Sequence, residues 1–433
     1  VGYKVARSLL KLADHREDHF DPRWAEFLGS VYLPAPNTVE INLTRRTLRP
    51  EALLPTPRLP PEDPLAALFA GPYQLPETDD ARVTTYRLRV QSESQSSRPP
   101  EIVEQYFDDP NAAADALLRG EIDVLDRVAP ADLRRLSENP EIRIVPYRIP
   151  TIHFLVFNGR QQLLRRATFR RGLLYAINRD GFVRDEILAG DTRLTAQTLT
   201  GPLPRGVSDD DSLGYAYDRG IQPRRFDPSL GFVLLRLAQV QLQQQTRNST
   251  DEDSREERKP VTENVDLLEM ATRVEAERET PFPPLVLAFP DSPIAKAASS
   301  AIASDLRRVG FEVTLRALES GVSRPPDGAW DLLYIEATLE EPFIDIPDLI
   351  VGENLLGDQG SVLWQAVRVL QEADNWDHVR DQFALVHKLV YDDTPLIPLW
   401  QIVEHLAYRD QLDGIGSRPA SLYQNIDRWR LNP

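Results

Sequence analysis

Two histidines, His15 and His19 in the segment HREDH, stand four residues apart, a spacing that on a helix can place two imidazoles on one metal ion. The segment is not HExxH, no third ligand is evident, and its polar context after an opening helix reads as a loop, so an incidental pair and no metal site are expected. The remaining histidines, His153, His378, His387 and His405, are scattered. Adjacent acids occur at Asp108 with Asp109 and at Asp392 with Asp393. Neighbouring carboxylates in loops are ordinarily solvated, and nothing marks either as a catalytic pair. A nucleophile elbow, a P-loop and a GxGxxG turn are all absent, so no catalytic residue and no cofactor is expected. With no cysteine, the chain has no disulfide, thiolate metal site or cysteine nucleophile, nor a lipid-anchor cysteine within these residues. These residue types form no catalytic constellation.

The chain has 433 residues, too many for one compact core, so two or three domains are expected. Hydrophobic residues make up 41% and charged residues 27%, the balance of a soluble globular protein, and no apolar run is long enough to cross a bilayer. The 67 acidic residues outnumber the 50 basic ones, and the resulting charge of -17 repels phosphate backbones and anionic lipid surfaces. Nucleic acid is therefore not an expected partner. Lysine stands only at positions 4, 11, 259, 296 and 388, so the basic residues are nearly all arginine. The opening VGYKVARSLLKLAD lacks the apolar core and cleavage site of a signal peptide and reads as the interior of an amphipathic helix with Val5, Leu9 and Leu12 on one face.

Periodicity places the elements that must position any site. Val39, Ile41 and Leu43 alternate in NTVEINL, and TTYRLRV alternates likewise, so both read as half-buried strands. A proline-rich connection spans 50–64, and the polar stretch 91–100 reads as a loop. Ala112, Ala116 and Leu117 mark a short helix ending near Gly120, before a strand starting at Ile122. EIRIVPYRI and TIHFLVFN read as strands. Phe169, Leu173, Ala176 and Ile177 give the next helix one apolar face, with arginine opposite. Residues 243–264 are polar and charged, without aromatics, and are expected to be a disordered or extended insertion. PLVLAF, a helix carrying Ile294, Ala298, Ile302 and Leu306, and a strand carrying Phe311, Val313 and Leu315 predict a right-handed βαβ crossover in a mixed sheet. The strand WDLLYIEA, a helix around 379–390 and the strand LIPLW complete the pattern.

Taken in order, GYKVARSLL, GPY at 71–73, ALLRGEIDVL at 116–125, FNGRQQLL with RRATFRRGLLYAINRD, FDPSLGFVLLRLA at 226–238, DLRRVGFEVTL at 305–315 and DDTPLIPLW at 392–400 resemble successive segments of the family 5 extracytoplasmic solute-binding proteins of peptide and nickel ABC importers. The stretch Leu155 to Gly190 is the strongest part of that resemblance. The resemblance implies an α/β fold of the type II periplasmic-binding-protein kind, with two lobes, hinge strands and an extra domain, and with the first strands of lobe I lying outside this chain. It implies an extra domain over 1–102, lobe I over 103–195 with 403–433, and lobe II over 196–402. It further implies a non-enzymatic, monomeric receptor that takes a peptide or similar small polar solute into an interlobe cleft and delivers it to ABC permease subunits. Such a receptor works in the periplasm or on the outer face of the cytoplasmic membrane, reaching the membrane only through the permease or an anchor not contained in these residues. The same fold also serves as the ligand-sensing domain of cytoplasmic transcription regulators, which is the alternative; the sequence upstream of Val1 distinguishes the two.

Peptide-binding members of that family pair an aspartate shortly after a Gly-Trp with the ligand's ammonium group, a charge-assisted contact that offsets desolvation in a closed cleft. In the matching segment YIEATLEEPFIDIPDL, Glu336 and Ala337 replace the glycine and tryptophan, and Glu340 falls nearest the aspartate. The resemblance therefore points to Glu340 as a ligand-binding residue, with Glu341, Thr338 and Asp345 beside it. The segment AFPDSPIA lacks the arginine that binds the ligand carboxylate in dipeptide receptors. Of Trp330, Trp364, Trp376 and Trp400, core packing is the expected role for any single one, and Trp400 is retained as a candidate wall of the ligand site.

Overall fold

The computed structural model describes residues 2–17, 20–54, 73–74, 82–88, 99–190, 195–207, 211–252, 281–319, 322, 324–326, 328–352 and 361–432. The chain opens with α1 (Gly2–Leu12), α2 (Pro22–Phe27) and the strands β1 (Leu28–Ala35), β2 (Thr38–Leu43), β3 (Tyr73–Gln74), β4 (Val83–Leu88) and β5 (Glu101–Gln105). There follow α3 (Pro110–Arg119), β6 (Val124–Leu125), α4 (Pro130–Ser137), β7 (Ile142–Pro146) and β8 (Thr151–Phe157). Next are α5 (Ala167–Ala176), α6 (Arg179–Phe182), β9 (Ala196–Thr198), α7 (Pro228–Glu252), β10 (Leu285–Phe289), α8 (Pro293–Arg308), β11 (Val313–Ala317) and β12 (Leu332–Thr338). The last are α9 (Pro342–Pro347), α10 (Ser361–Gln371), α11 (Trp376–Asp393), β13 (Leu396–Ile402), β14 (His405–Arg409), β15 (Leu412–Asp413) and β16 (Arg430–Leu431).

The chain divides into two compact units: Val1–Ile149 with Gln371–Val379 and Val403–Pro433, and Pro150–Leu370 with Arg380–Ile402. This division differs from the expected lobe boundary between 195 and 196. Residues 150–195 belong with the second unit because β8 is hydrogen-bonded to β12 on one side and β13 on the other. Residues 1–102, expected as a separate extra domain, fall in the same unit as 103–149 and 403–433.

In the first unit, β2 shows the expected alternation and pairs antiparallel with β1, while α1 buries Gly2, Ala6 and the expected Leu9, with Val5 and Leu12 half-buried. Trp24 is fully buried and donates its indole N–H to Leu9 O at 2.8 Å, a partner that a buried indole requires. Helix α3 starts on Asp109, whose side chain accepts from Asn111 N, and ends at Gly120, whose φ of 74° suits a residue without Cβ. Its buried positions are Ala113, Ala114, Ala116 and Leu117, and Ala112 is exposed. Strand β14 lies between β6 and β7, and Tyr147, Leu406, Tyr408, Leu412, Ile415 and Trp429 form a core around this sheet.

The second unit is built on a six-stranded mixed sheet in the order β11-β10-β12-β8-β13-β9. Strands β10 and β11 are parallel and joined through α8, as the strand-helix-strand pattern predicts. Ser292 caps α8 by accepting from Ala295 N at 3.0 Å. Asn158, which follows β8, donates its amide to Trp330 O at 2.8 Å, and its backbone N–H reaches Asp331 O at 2.9 Å, so the end of β8 is latched to the start of β12.

Helices α5, α7 and α8 supply the apolar side chains that cover this sheet: Phe169, Leu173, Leu235, Ala298, Ile302 and Leu306 are all buried there. Removing each large side chain from water contributes roughly 1.5–3 kcal/mol. Two glycines let α5 and α7 approach closely: a Cβ at Gly172 would lie 2.7 Å from Leu235 Cγ, and one at Gly231 would lie 2.9 Å from Gly172 O. The arginine face expected opposite Phe169 is only partly solvated. Arg170 is buried and donates to the carbonyls of Leu164, Arg165, Asp393 and Thr394 at 2.6–3.1 Å. The last two carbonyls end α11, where the helix dipole favours a cation. The expected disordered insertion over 243–264 is also corrected in part. Helix α7 continues through Glu252, since a packed N-terminal half propagates into residues that are good helix formers. Residues 253–264 lie outside the described residues.

Candidate functional site

The pairings of the six-stranded sheet run β10, β11, β12 and β13 in one direction and β8 and β9 in the other. One rim therefore gathers the carboxyl ends of β10, β12 and β13, where ligand sites of open α/β sheets form. Glu336, His153, Trp400 and Thr198 are successive cross-strand partners along this rim. Glu336 accepts from Ser292 Oγ at 2.8 Å and lies 3.7 Å from His153 Nδ1, which in turn is 2.9 Å from the Tyr334 hydroxyl. Complete burial raises the Tyr334 phenol well above its ordinary pKa, so the hydroxyl keeps its proton.

Just past β12 the chain presents the expected segment. Thr338 and Glu340 are exposed on either side of the buried Leu339. Glu341 is half-buried and accepts the Tyr215 hydroxyl, which itself accepts Phe343 N at 2.9 Å. Asp345 accepts Glu341 N at 2.9 Å and so pins the first turn of α9. Of the four candidates, Thr338 and Glu340 are thus open to a solute, whereas Glu341 and Asp345 hold the loop that presents them.

Trp400, the candidate wall of the ligand site, is buried. Its side chain has no exposed surface and stacks on Phe182 with ring centroids 4.6 Å apart, so it packs the core in this conformation. Trp330 is also buried, while Trp364 and Trp376 are partly exposed. His15 is exposed and His19 lies outside the described residues. Asp108 pairs with Arg82 at 2.9 Å, Asp109 caps α3, and Asp392 pairs with Lys388 at 2.9 Å, so these three have surface or capping partners. Among the described residues, no group of three or more His, Cys, Asp or Glu could hold a metal ion, and no helix is long and apolar enough to cross a membrane.

Sequence reasoning missed a buried polar cluster around His387. Its Nε2 lies 2.8 Å from Thr200 Oγ1, Thr200 Oγ1 lies 2.7 Å from the Tyr217 hydroxyl, and the Tyr217 and His387 rings are 4.7 Å apart. Asp218 N donates to Nδ1 at 3.1 Å. Burial lowers the His387 pKa to about 4, so the ring is neutral at physiological pH. Fully enclosed, the cluster fixes the 199–218 segment against α11 and offers no exposed catalytic base. The spacing of these residues, 200, 217 and 387, contains no local signal that would have revealed it.

Comparison with known proteins agrees with this geometry. The sequence model described as bacterial extracellular solute-binding proteins, family 5 Middle, matches residues 29–338. No curated protein sequence matches the chain. Among solved structures, DppA from Helicobacter pylori in complex with peptide STSA is 13% identical, with 100% of this chain and 81% of that one covered at a TM-score of 0.75. NikZ from Campylobacter jejuni in complex with Ni(L-His) is 15% identical, with 99% and 84% covered at 0.73. The dipeptide-binding protein of Pseudoalteromonas sp. SM9913 in complex with Met-Leu is 15% identical, with 99% and 82% covered at 0.75. At these identities the likeness establishes the type II periplasmic-binding-protein fold, while the sequence match establishes kinship: the chain belongs to the bacterial extracellular solute-binding proteins, family 5.

Proposed function

We propose that this protein is the solute receptor of an ABC importer, binding a peptide or similar small polar solute and delivering it to a membrane permease outside the cytoplasm. The observation that carries this reading is the family match over residues 29–338, which includes the whole of β12. The similar structures that hold a peptide, a dipeptide and a nickel–histidine complex support a small polar ligand with charged groups. Within the chain, Glu340 is the carboxylate proposed to meet an ammonium or metal-chelate donor. It is exposed at the end of β12, on a loop fixed by the contacts of Tyr215, Glu341 and Asp345. Thr338 supplies a hydroxyl one residue beyond Leu339 from it.

The direct test is mass spectrometry of small molecules released from the purified full chain, followed by thermal shifts across peptide and metal-chelate libraries. A specific co-purifying solute that raises the melting temperature in proportion to its concentration is the expected result. If no member of either library shifts the melting temperature and nothing co-purifies, the receptor reading fails.

A further inference from the structure

Three arginines converge on one corner of the second unit in a protein whose net charge is -17. Arg170 is accounted for by the carbonyls that end α11. The other two line a shared pocket. Arg179, in the AINRD segment, is buried; its Nη1 donates to Leu199 O at 3.0 Å and Pro398 O at 2.7 Å, and its Nη2 to Arg224 O at 2.8 Å. Its Nε donates to no described residue. Arg224 lies 4.2 Å over the Tyr391 ring, and its one side-chain hydrogen bond among the described residues runs from Nη1 to Thr394 Oγ1 at 3.3 Å.

No carboxylate oxygen among the described residues lies within 4.0 Å of either guanidinium. Asp180, next in sequence to Arg179, instead accepts the Thr198 hydroxyl. Carbonyl dipoles satisfy N–H groups without supplying a full counter-charge, and a buried cation lacking one is costly. Burial lowers the Arg179 pKa to about 10, which still leaves it cationic at neutral pH. Both guanidinium groups line the same small pocket, with Thr200, Tyr391 and Thr394, and the pocket has room for about one water-sized guest.

We propose that this pocket is a binding site for a monatomic anion of chloride size, held by Arg179 and Arg224. A water molecule would occupy the same space but would add no charge between the guanidinium groups, and Asp180, the acid that acts on Arg179, already accepts the Thr198 hydroxyl. With room for about one water-sized guest, the pocket suits a monatomic ion better than a polyatomic one. The pocket is walled by segments far apart in sequence, at Arg179, Thr200, Arg224, Tyr391 and Pro398, so an anion there ties them together. The site is independent of the solute-receptor reading and stabilises the second unit.

The test measures the thermal midpoint of the full chain in sodium chloride and in sodium gluconate at matched ionic strength, together with anomalous diffraction from crystals grown in sodium bromide. The expected result is a midpoint that rises and saturates with chloride but not with gluconate, and a bromide peak between Arg179 and Arg224. The variant Arg224→Gln, at a half-exposed position, should lose both the chloride-specific rise and the peak. Equal responses to the two salts, or bromide absent from the pocket, overturn the proposal. The wild-type halide response decides the question even if the variant fails to fold.

Discussion

The backbone N–H of Asp218 donates to Nδ1 of His387 at 3.1 Å, so Nδ1 must be the ring's acceptor and Nε2 must carry its proton. That proton points at Thr200 Oγ1, 2.8 Å away. A second proton would have to enter at Nδ1, and burial lowers the pKa from its ordinary 6.5 to about 4 against the raising pull of the Asp218 carboxylate. The unfolded chain binds this proton below pH 6.5 and the folded chain only near pH 4. Stability from this group is therefore full above pH 6.5 and is lost as pH falls towards 4, by on the order of 3 kcal/mol. Urea midpoints at pH 7.5, 5.5 and 4.5 should fall more steeply for the wild type than for His387→Gln; parallel pH profiles for the two proteins would refute the assignment.

Arg170 gives the second prediction. Its four carbonyl partners lie on the segment before α5 and at the end of α11, and no single-point cation can reach all of them. Replacing it with methionine leaves buried acceptors unpaired and should cost roughly 3 kcal/mol or more in chemical denaturation. Arg170→Lys should recover only a minor part of that loss. Full recovery by lysine would show that charge, not the branched set of hydrogen bonds, is what the site needs.

At the rim, Glu340 and Glu341 should separate cleanly. Glu340 is exposed and holds up no part of the loop, so Glu340→Gln should leave the melting temperature of the solute-free protein unchanged while weakening solute binding by about tenfold or more. Glu341→Gln should lower the melting temperature, because it weakens the contact with Tyr215 that holds the start of α9. Isothermal titration with the solute identified by mass spectrometry, alongside scanning calorimetry, reads both effects. Unchanged affinity in Glu340→Gln would remove this residue from the ligand site.

Helix crossing makes the fourth prediction. Gly231→Ala puts a methyl 2.9 Å from Gly172 O and 3.1 Å from Ala176 N, both backbone atoms, so α5 and α7 must move apart. The expected cost is about 1–3 kcal/mol. A Cβ at Gly159 meets nothing within 4 Å, and Gly159→Ala should be close to neutral. Comparable losses in the two variants would mean that the close approach of the helices is not what the Gly231 substitution perturbs.

Local patterns were legible in the sequence and distant partnerships were not. The alternation in β2, the parallel β10–α8–β11 crossover and the family identity all follow from residues close together in sequence. The place of β8 between β12 and β13 does not, since a fully buried strand has no alternation to show which neighbours cover its edges. Arg170 read only as part of the arginine face opposite Phe169, because two of its carbonyl partners lie more than two hundred residues away and carry no sequence signature. Of the candidate site, Glu340 and Thr338 stand exposed where the resemblance pointed, whereas Trp400 read the same in sequence as any tryptophan near a strand end.

The central position of β8 bears on how the protein is made. Its partner β12 emerges from the ribosome roughly 175 residues later and β13 roughly 240 residues later. At about 5–20 residues per second, the strand waits on the order of ten seconds to a minute with both edges unsatisfied. An apolar strand with two open edges is a template for pairing with another chain. Synthesis of the second unit is thus set up to stay unfinished until its last strand has been translated, so the nascent chain remains open to whatever factor shields it or carries it onward.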